Sequence, residues 1–141
     1  MKFIRKEIVG TPRNDRPFIV RYMPWFTDRI CLNIIYDDFG LLHSHPWNYF
    51  TLILWGGYKE EMLVNGKVVT KNRYTGYFTY RKKTQYHAIT PLKKKAITLF
   101  IRGKLESYTK FMINGSEMRD MKYWRMIGYN RQDLEKALRI E

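Results

Sequence analysis

Residues 42–58 read Leu-His-Ser-His-Pro-Trp-Asn-Tyr-Phe-Thr-Leu-Ile-Leu-Trp-Gly-Gly-Tyr and hold two of the three histidines of the chain. Side chains two residues apart on a strand point to the same face, so His43 and His45 can present both imidazoles to one point. The third histidine, His87, falls on a separate predicted strand that could close the site. Neutral imidazole is a common ligand of transition metals, and the three histidines therefore predict one metal centre.

Short runs of aromatic and branched residues extend on both sides of this segment and are separated by turn signals. Asn65-Gly66 predicts a two-residue hairpin, because both positions of that turn favour a positive φ. A helix is predicted only at the end, over 131–140, with Asn130 as its cap and an apolar stripe that includes Leu134 and Leu138. The predicted strands cover 3–9, 18–23, 29–36, 49–54, 58–64, 67–70, 77–80, 86–89, 96–102 and 107–112. Strands this short and regular predict an all-β sandwich or small barrel.

Length and composition predict a single domain over 1–141. The N-terminal residues and the lack of a long apolar stretch predict that it is cytoplasmic. The chain of 141 residues is 45% hydrophobic, which excludes a disordered protein. Its first residues carry charges where a signal peptide needs an apolar run, and no apolar stretch approaches the roughly 20 residues that span a bilayer. We therefore expect no membrane partner. The single cysteine, Cys31, lies among isoleucines and leucines and is predicted to be a small buried residue.

The chain is strongly basic, with 26 lysines and arginines against 13 acidic residues and a net charge of +13. A solvated surface accounts for scattered lysines, but such a charge also attracts phosphate-bearing partners: a nucleotide, a nucleotide-linked sugar or the backbone of a nucleic acid. A small anionic molecule is the partner we favour. The sequence lacks helix-turn-helix, zinc-finger and RNA-recognition signatures, so base-specific recognition is not expected.

The order of glycines and histidines resembles the two motifs of the cupin superfamily. The segment 42–58 is similar to a small group of cupin-like proteins from bacteria and phages, with its His-x-His-Pro-Trp start and Gly-Gly-Tyr end. The resemblance covers roughly 18–112 and implies a double-stranded β-helix of the jelly-roll type, a metal centre and a homodimer. The residues that carry it are Gly40, His43, His45, Gly56, Gly76 and His87.

One position departs from the cupin pattern. Where a metal-binding cupin has a glutamate, this chain has Tyr49 or Phe50. Alternation from His45 places Tyr49 on the inward face with Trp47, and it is therefore the better candidate to line a cavity. Glu60 and Glu61 could also approach the site, but a solvated hairpin face is the location that we favour for both. Three histidines without a fourth protein ligand would leave open positions on the metal, as a catalytic centre requires.

The resemblance does not decide the metal or the reaction, but it narrows both to a few candidates. Fe(II) is favoured, ahead of Zn, Ni, Cu and Mn, and the absence of a His-x-Asp or His-x-Glu pair argues against a facial triad of two histidines and one carboxylate. Three-histidine cupins similar to this arrangement include iron dioxygenases, which is the function we favour. Other cupins are epimerases or isomerases of nucleotide-linked sugars, with a histidine base and a tyrosine acid. A binding protein without turnover is the third alternative.

Further candidate site residues follow from their phase on the predicted strands. Tyr49 and Gln85 are the candidate catalytic residues beside the metal ligands, since Gln85 lies two positions before His87. Three arginines on or beside strands, Arg21, Arg81 and Arg102, could meet phosphate or carboxylate oxygens of a substrate. An outward, edge-protecting charge is the alternative for each arginine.

Overall fold

The computed structural model describes residues 3–11, 14–37, 42–107, 109–113 and 116–119, and this part of the chain is all-β. No helix occurs among these residues. The expected helix over 131–140 and the motif glycine Gly40 lie outside them. Twelve strands are present: β1 Ile4–Thr11, β2 Asn14–Pro24, β3 Ile30–Ile35, β4 His43–Ser44, β5 Tyr49–Trp55, β6 Tyr58–Val64, β7 Lys67–Arg73, β8 Phe78–Arg81, β9 His87–Pro91, β10 Ala96–Arg102, β11 Lys110–Ile113 and β12 Ser116–Arg119.

The strands form two antiparallel six-stranded sheets. The first sheet has the order β1-β2-β3-β10-β5-β8, and the second has the order β12-β11-β4-β9-β6-β7. The hairpin β6–β7 turns through Asn65 and Gly66 with φ values of 50° and 76°, which confirms the predicted two-residue turn. Strands far apart in the sequence are neighbours in both sheets, as in a jelly roll.

Alternating burial divides the first sheet into an inward and an outward face. In β3, Cys31, Asn33 and Ile35 are buried, whereas the alternate residues Ile30 and Leu32 are exposed. Inward side chains of this sheet pack with Trp47 in a cluster of buried residues that comprises Met23, Cys31, Trp47, Tyr49 and Phe100. The predicted burial of Cys31 is thus confirmed, and burial raises the pKa of its thiol.

Two glycines carry the chain from the first sheet to the second. Gly56 and Gly57 join β5 to β6 with φ values of 85° and 69°. A Cβ atom at Gly56 would collide with the carbonyl oxygen of Lys95, and one at Gly57 would collide with that of Arg73. The Gly-Gly pair is therefore required both by backbone conformation and by space.

The predicted strands agree with the structure within a few residues at each end, with two exceptions. Strand β4 was not predicted because it has only two residues, and β12 was not predicted either. Both belong to the second sheet, where β4 is the neighbour of β9. No helix of the described residues is long and apolar enough to cross a membrane.

Candidate metal centre

The three histidines meet in the space between the sheets. His43 on β4 is the register partner of His87 on β9, and His45 follows two residues after His43. The ring centroids of these histidines lie 5.0 to 5.2 Å apart. One nitrogen from each of them lies within 4.8 Å of the others. The three histidines are therefore close together, as predicted from the two-residue spacing of His43 and His45 and from the separate strand of His87.

Two of the ring nitrogens are close enough to bind the same ion. The Nε2 atoms of His45 and His87 are 3.0 Å apart. Metal–nitrogen bonds of about 2.1 Å allow two ligands of one ion to be separated by up to about 4.2 Å. Burial, followed by the neighbouring histidines and arginines, lowers the pKa of His45 well below its usual value. Its imidazole is therefore neutral, which is the form that ligates metals.

A buried carboxylate fixes the orientation of His87. The Nδ1–H group of His87 donates to Oε2 of Glu60 at 2.8 Å, and Glu60 is only 1% exposed. Because Nδ1 carries the proton, the lone pair of Nε2 faces the other histidines. Carboxylates in this position orient histidine ligands and increase their basicity in many metalloproteins.

Two arginines hold the other oxygen of Glu60. Nε of Arg73 lies 3.1 Å and Nη2 of Arg81 lies 3.0 Å from Oε1. Burial opposes ionisation of Glu60, but the hydrogen bond from His87, the electrostatic effect of His87 and the charge of Arg81 together outweigh it and lower the pKa of the carboxyl to about 2. Glu60 is thus an anion compensated by two cations. We refer to Glu60, Arg73 and Arg81 as the ion-pair cluster.

The expectation for Glu60 was wrong, while that for Glu61 was right. Glu61 is partly exposed and pairs with Lys59 on the same strand at 3.8 Å. Glu60 faces inward instead, because β6 alternates from the buried Tyr58 and therefore buries Glu60 as well. That alternation was available in the sequence. The compensating arginines on β7 and β8 were not, since their positions depend on the strand order.

Tyr49 occupies the position where a glutamate was expected and points inward, as predicted. Its hydroxyl lies 3.3 Å from Nε2 of His87, and the residue is 2% exposed. Burial raises the pKa of the Tyr49 phenol well above its usual value, so the hydroxyl keeps its proton. The ring of Trp47 stacks on His45 at 5.0 Å with an interplanar angle of 9°, and the ring of Tyr49 meets His45 edge-on at 4.8 Å. Tyr49 and Trp47 together limit how the His45 ring can turn.

A small cavity opens next to the histidines. Its volume is about 60 Å³, and both sheets contribute to its wall. Polar groups in the wall come from Asn33, Thr51, Tyr58 and Thr98 in addition to the histidines and Tyr49. Arg21 is the one side chain with a permanent charge among the described residues that line it, and none of those residues is a carboxylate. The cavity therefore combines three imidazoles with a single cation.

Arg21 is held in the wall by its neighbours on the first sheet. Its Nε donates to Oδ1 of Asn33 at 2.9 Å, and Nη1 lies 3.9 Å from Oε1 of Glu7, a side chain that is half exposed. Burial lowers the pKa of Arg21, although Cys31 and Glu7 act in the opposite direction. An arginine that is costly to bury and only loosely paired is suited to an anion within reach.

The other predicted site residues lie elsewhere. Arg81 belongs to the ion-pair cluster. Its guanidinium also donates hydrogen bonds to Tyr77 and Thr79. Arg102 pairs with Asp28 at 3.3 Å and lies over the ring of Trp47 at 5.1 Å. The amide of Gln85 donates to the carbonyl oxygens of Leu63 and Tyr86, because Gln85 precedes β9 rather than belonging to it. Neither Arg81, Arg102 nor Gln85 is among the described residues that line the cavity.

Comparisons with known proteins establish the fold. No protein-family model matches the sequence, and no curated protein matches it. The structure is similar to Fe(II)-HppE with the alternative substrate (S)-1-HPP, at a TM-score of 0.55 and 16% identity, covering 70% of this chain and 56% of that one. It is also similar to the Drosophila melanogaster CENP-C cupin domain, at a TM-score of 0.55 and 15% identity, covering 71% and 75% of the two chains.

The fold is that of a cupin. A further similar structure is hydroxypropylphosphonic acid epoxidase from S. wedmorenis in complex with fosfomycin, at a TM-score of 0.51 and 16% identity, covering 61% of this chain and 51% of the epoxidase. The chain thus spans little more than half the length of the epoxidase structures that it matches. The predicted all-β cupin architecture is confirmed by these neighbours and by the two antiparallel sheets.

Proposed function

We propose that His43, His45 and His87 bind one divalent metal ion and that the protein is a metal-dependent cupin enzyme. The donor set supports this, because three imidazoles converge and one of them is oriented by a carboxylate. Fe(II) is the ion we favour, by analogy with the neighbour whose structure contains Fe(II). Zn, Ni and Mn also suit imidazole ligands.

The substrate in this proposal is a small anion. The observation that carries this proposal is that Arg21 and the three histidines line the same cavity. A carboxylate or phosphonate could accept hydrogen bonds from the Arg21 guanidinium while another of its oxygens approaches the metal. The epoxidase neighbour, named for a phosphonic acid, is in keeping with such a substrate.

The size of the cavity favours a small substrate. A volume of about 60 Å³ is well below the roughly 300–1,000 Å³ of pockets that enclose drug-sized ligands. A nucleotide-linked sugar would need a much larger space. We therefore favour a substrate of a few heavy atoms over the nucleotide sugars considered from charge alone.

Oxygen chemistry is the reaction class we favour. Fe(II) with three neutral ligands would retain its positive charge and open coordination positions, and it would supply electrons for the activation of dioxygen. The protein's own residues would have narrower tasks. Arg21 would orient the anion, Trp47 and Phe100 would limit the entry of water, and the protonated Tyr49 hydroxyl, which lies next to His87, would offer a hydrogen-bond donor to the bound anion.

The substrate proposal is tested with the zinc-loaded protein, which binds but does not oxidise. Titration calorimetry with methylphosphonate and acetate should detect binding that Arg21→Met weakens about 10- to 100-fold, the usual effect of losing a charged hydrogen-bond donor. The exposed Arg29 provides the matched control, and Arg29→Met should bind as the wild type does. Equal affinity of Arg21→Met and wild type would show that Arg21 does not bind the anion.

The reaction class is tested by oxygen uptake. The iron-loaded protein should consume oxygen when supplied with small phosphonates, carboxylates or thiols, and the zinc-loaded protein should not. A second candidate, an epimerase or isomerase, is favoured by the contact of 3.3 Å between Tyr49 and His87, which resembles an acid–base pair. Turnover by metal-free protein under anaerobic conditions would support that candidate and contradict the oxygenase.

A further inference from the structure

The inward face of the first sheet carries one row of polar side chains. Arg21 of β2 is the register partner of Asn33 of β3, and Asn33 is the register partner of Thr98 of β10. All three residues line the cavity. Their exposures are 9%, 4% and 1%, so they are almost completely withdrawn from bulk water. We call these three residues the polar row.

Apolar side chains lie on both sides of the polar row. On one side, Ile19, Ile35 and Ala96 form the next inward row across the same three strands. On the other side, Cys31 and Phe100 are register partners and belong to the cluster of buried residues around Trp47. Side chains that served only to pack the sheets would be apolar here as well, because burying a polar group costs free energy unless it is hydrogen-bonded.

The polar row satisfies only part of its own hydrogen-bonding capacity. Oδ1 of Asn33 accepts a hydrogen bond from Nε of Arg21, which leaves the N–H groups of the Asn33 amide as donors. Among the residues that the structure describes, none forms a hydrogen bond with that amide nitrogen or with the hydroxyl of Thr98. A buried polar group without a partner destabilises a fold, so these two groups favour a polar molecule in the cavity.

We propose that the polar row selects small acids that also carry a hydroxyl group, with Arg21 and Asn33 binding the acid group and Thr98 binding the hydroxyl. This inference rests on the proposed function, because it takes the small anion in the cavity as given. The free groups of Arg21 and Asn33 are donors only, which suits the oxygens of a carboxylate or phosphonate. Thr98 offers both a donor and an acceptor, which suits a hydroxyl.

The spacing of the polar row limits the length of such an acid. Neighbouring strands are about 4.8 Å apart, which suits a hydroxyl on the second carbon beyond the carboxylate. The polar row belongs to the first sheet and His43 and His87 belong to the second, yet all of them line one cavity of about 60 Å³. A short hydroxy acid held by the polar row would therefore lie between that row and the histidines.

The test compares 3-hydroxypropionate with butyrate, an acid of the same shape in which a methyl group replaces the hydroxyl. Titration calorimetry of the full chain, with added zinc and without metal, should show that 3-hydroxypropionate binds about 10-fold more tightly, as expected for one hydrogen bond to a buried group. Thr98→Val keeps the shape of the side chain but lacks the hydroxyl, so it should bind the two acids equally or prefer butyrate. Thr98→Ser keeps the hydroxyl and should retain the wild-type preference.

Thr70 supplies the matched control, because it is an exposed threonine on β7, and Thr70→Val should bind both acids as the wild type does. Equal binding of the two acids by the wild type, or a preference that survives in Thr98→Val, would overturn the selection of a hydroxyl. If Arg21→Met then weakened the binding of both acids, the proposed anion site would stand without that selection. Binding of neither acid by the wild type would contradict the anion site and this inference with it.

Discussion

The inward and outward faces of the first sheet both depart from the usual distribution of polar and apolar side chains. Arg21, Asn33 and Thr98 face inward among apolar residues and are almost fully buried, whereas Leu32 and Phe78 face outward. Both features are unusual, because buried polar groups cost free energy unless they are hydrogen-bonded and exposed apolar groups gain nothing from water.

On the inward side, the three imidazoles and Arg21 line one cavity, and Glu60 of the ion-pair cluster orients His87 beside it. On the outward side, Leu32, Phe50 and Phe78 are exposed. In our account, the proposed metal ion and anion would complete the inward side, and the second subunit that the cupin resemblance implies would cover the outward side.

Among substitutions in the interior, we expect the largest effect on stability from replacing Glu60. Glu60→Gln removes the charge that compensates Arg73 and Arg81, and we expect the free energy of unfolding to fall by about 3 kcal/mol, as when one partner of a buried ion pair is lost. Urea unfolding of the metal-free protein measures this loss. The neighbouring Glu61→Gln should change stability by less than about 0.5 kcal/mol. Equal losses in the two variants would mean that the interior cluster contributes no more than a surface pair.

The exterior side of the comparison predicts a melting temperature that depends on protein concentration. A 100-fold increase in concentration stabilises a dimer by about 2.7 kcal/mol, or about 1.4 kcal/mol per chain. For a chain of this length, that corresponds to a rise of about 4–5 °C in the melting temperature. Calorimetry at two concentrations provides the measurement. Identical melting temperatures would indicate a monomer and contradict the homodimer that the cupin resemblance implies.

The smallest expected effect concerns Tyr49, where the cupin pattern has a glutamate. Tyr49→Phe removes only the hydroxyl near His87, and we expect less than about 1 kcal/mol of lost stability with no loss of bound metal. Unfolding by urea and metal analysis of the same preparation test both points. If Tyr49→Phe retained less than half of its metal, the phenol oxygen would be a fourth ligand, and the description of the site as three histidines would have to change.

Local periodicity predicted the parts of the site whose residues are close together in the sequence. The inward phase of Tyr49 and the shared face of His43 and His45 follow from alternation alone, and so does the hairpin at Asn65-Gly66. The same rule applied to β6 would have predicted that Glu60 is buried beside Tyr58. The charge of Glu60 suggested an exposed position, but a carboxylate can be buried when partners elsewhere in the chain compensate it.

The contacts that depend on strand order could not be predicted. Arg81 was expected at a substrate and lies at Glu60, because β6 and β8 occupy different sheets whose inward faces meet. Gln85 was expected in phase with His87, but its amide bonds to two main-chain carbonyls before β9 begins.

Metal analysis of untagged protein tests the central claim, the metal centre of His43, His45 and His87, most directly. The wild type should contain about one divalent ion per chain, and each histidine-to-alanine variant should lose most of it while keeping its β-sheet circular dichroism, because ligands and not the fold are removed. Gln85→Ala, outside the cavity, should retain the ion. Full metal occupancy in a folded His87→Ala protein would contradict the proposed centre.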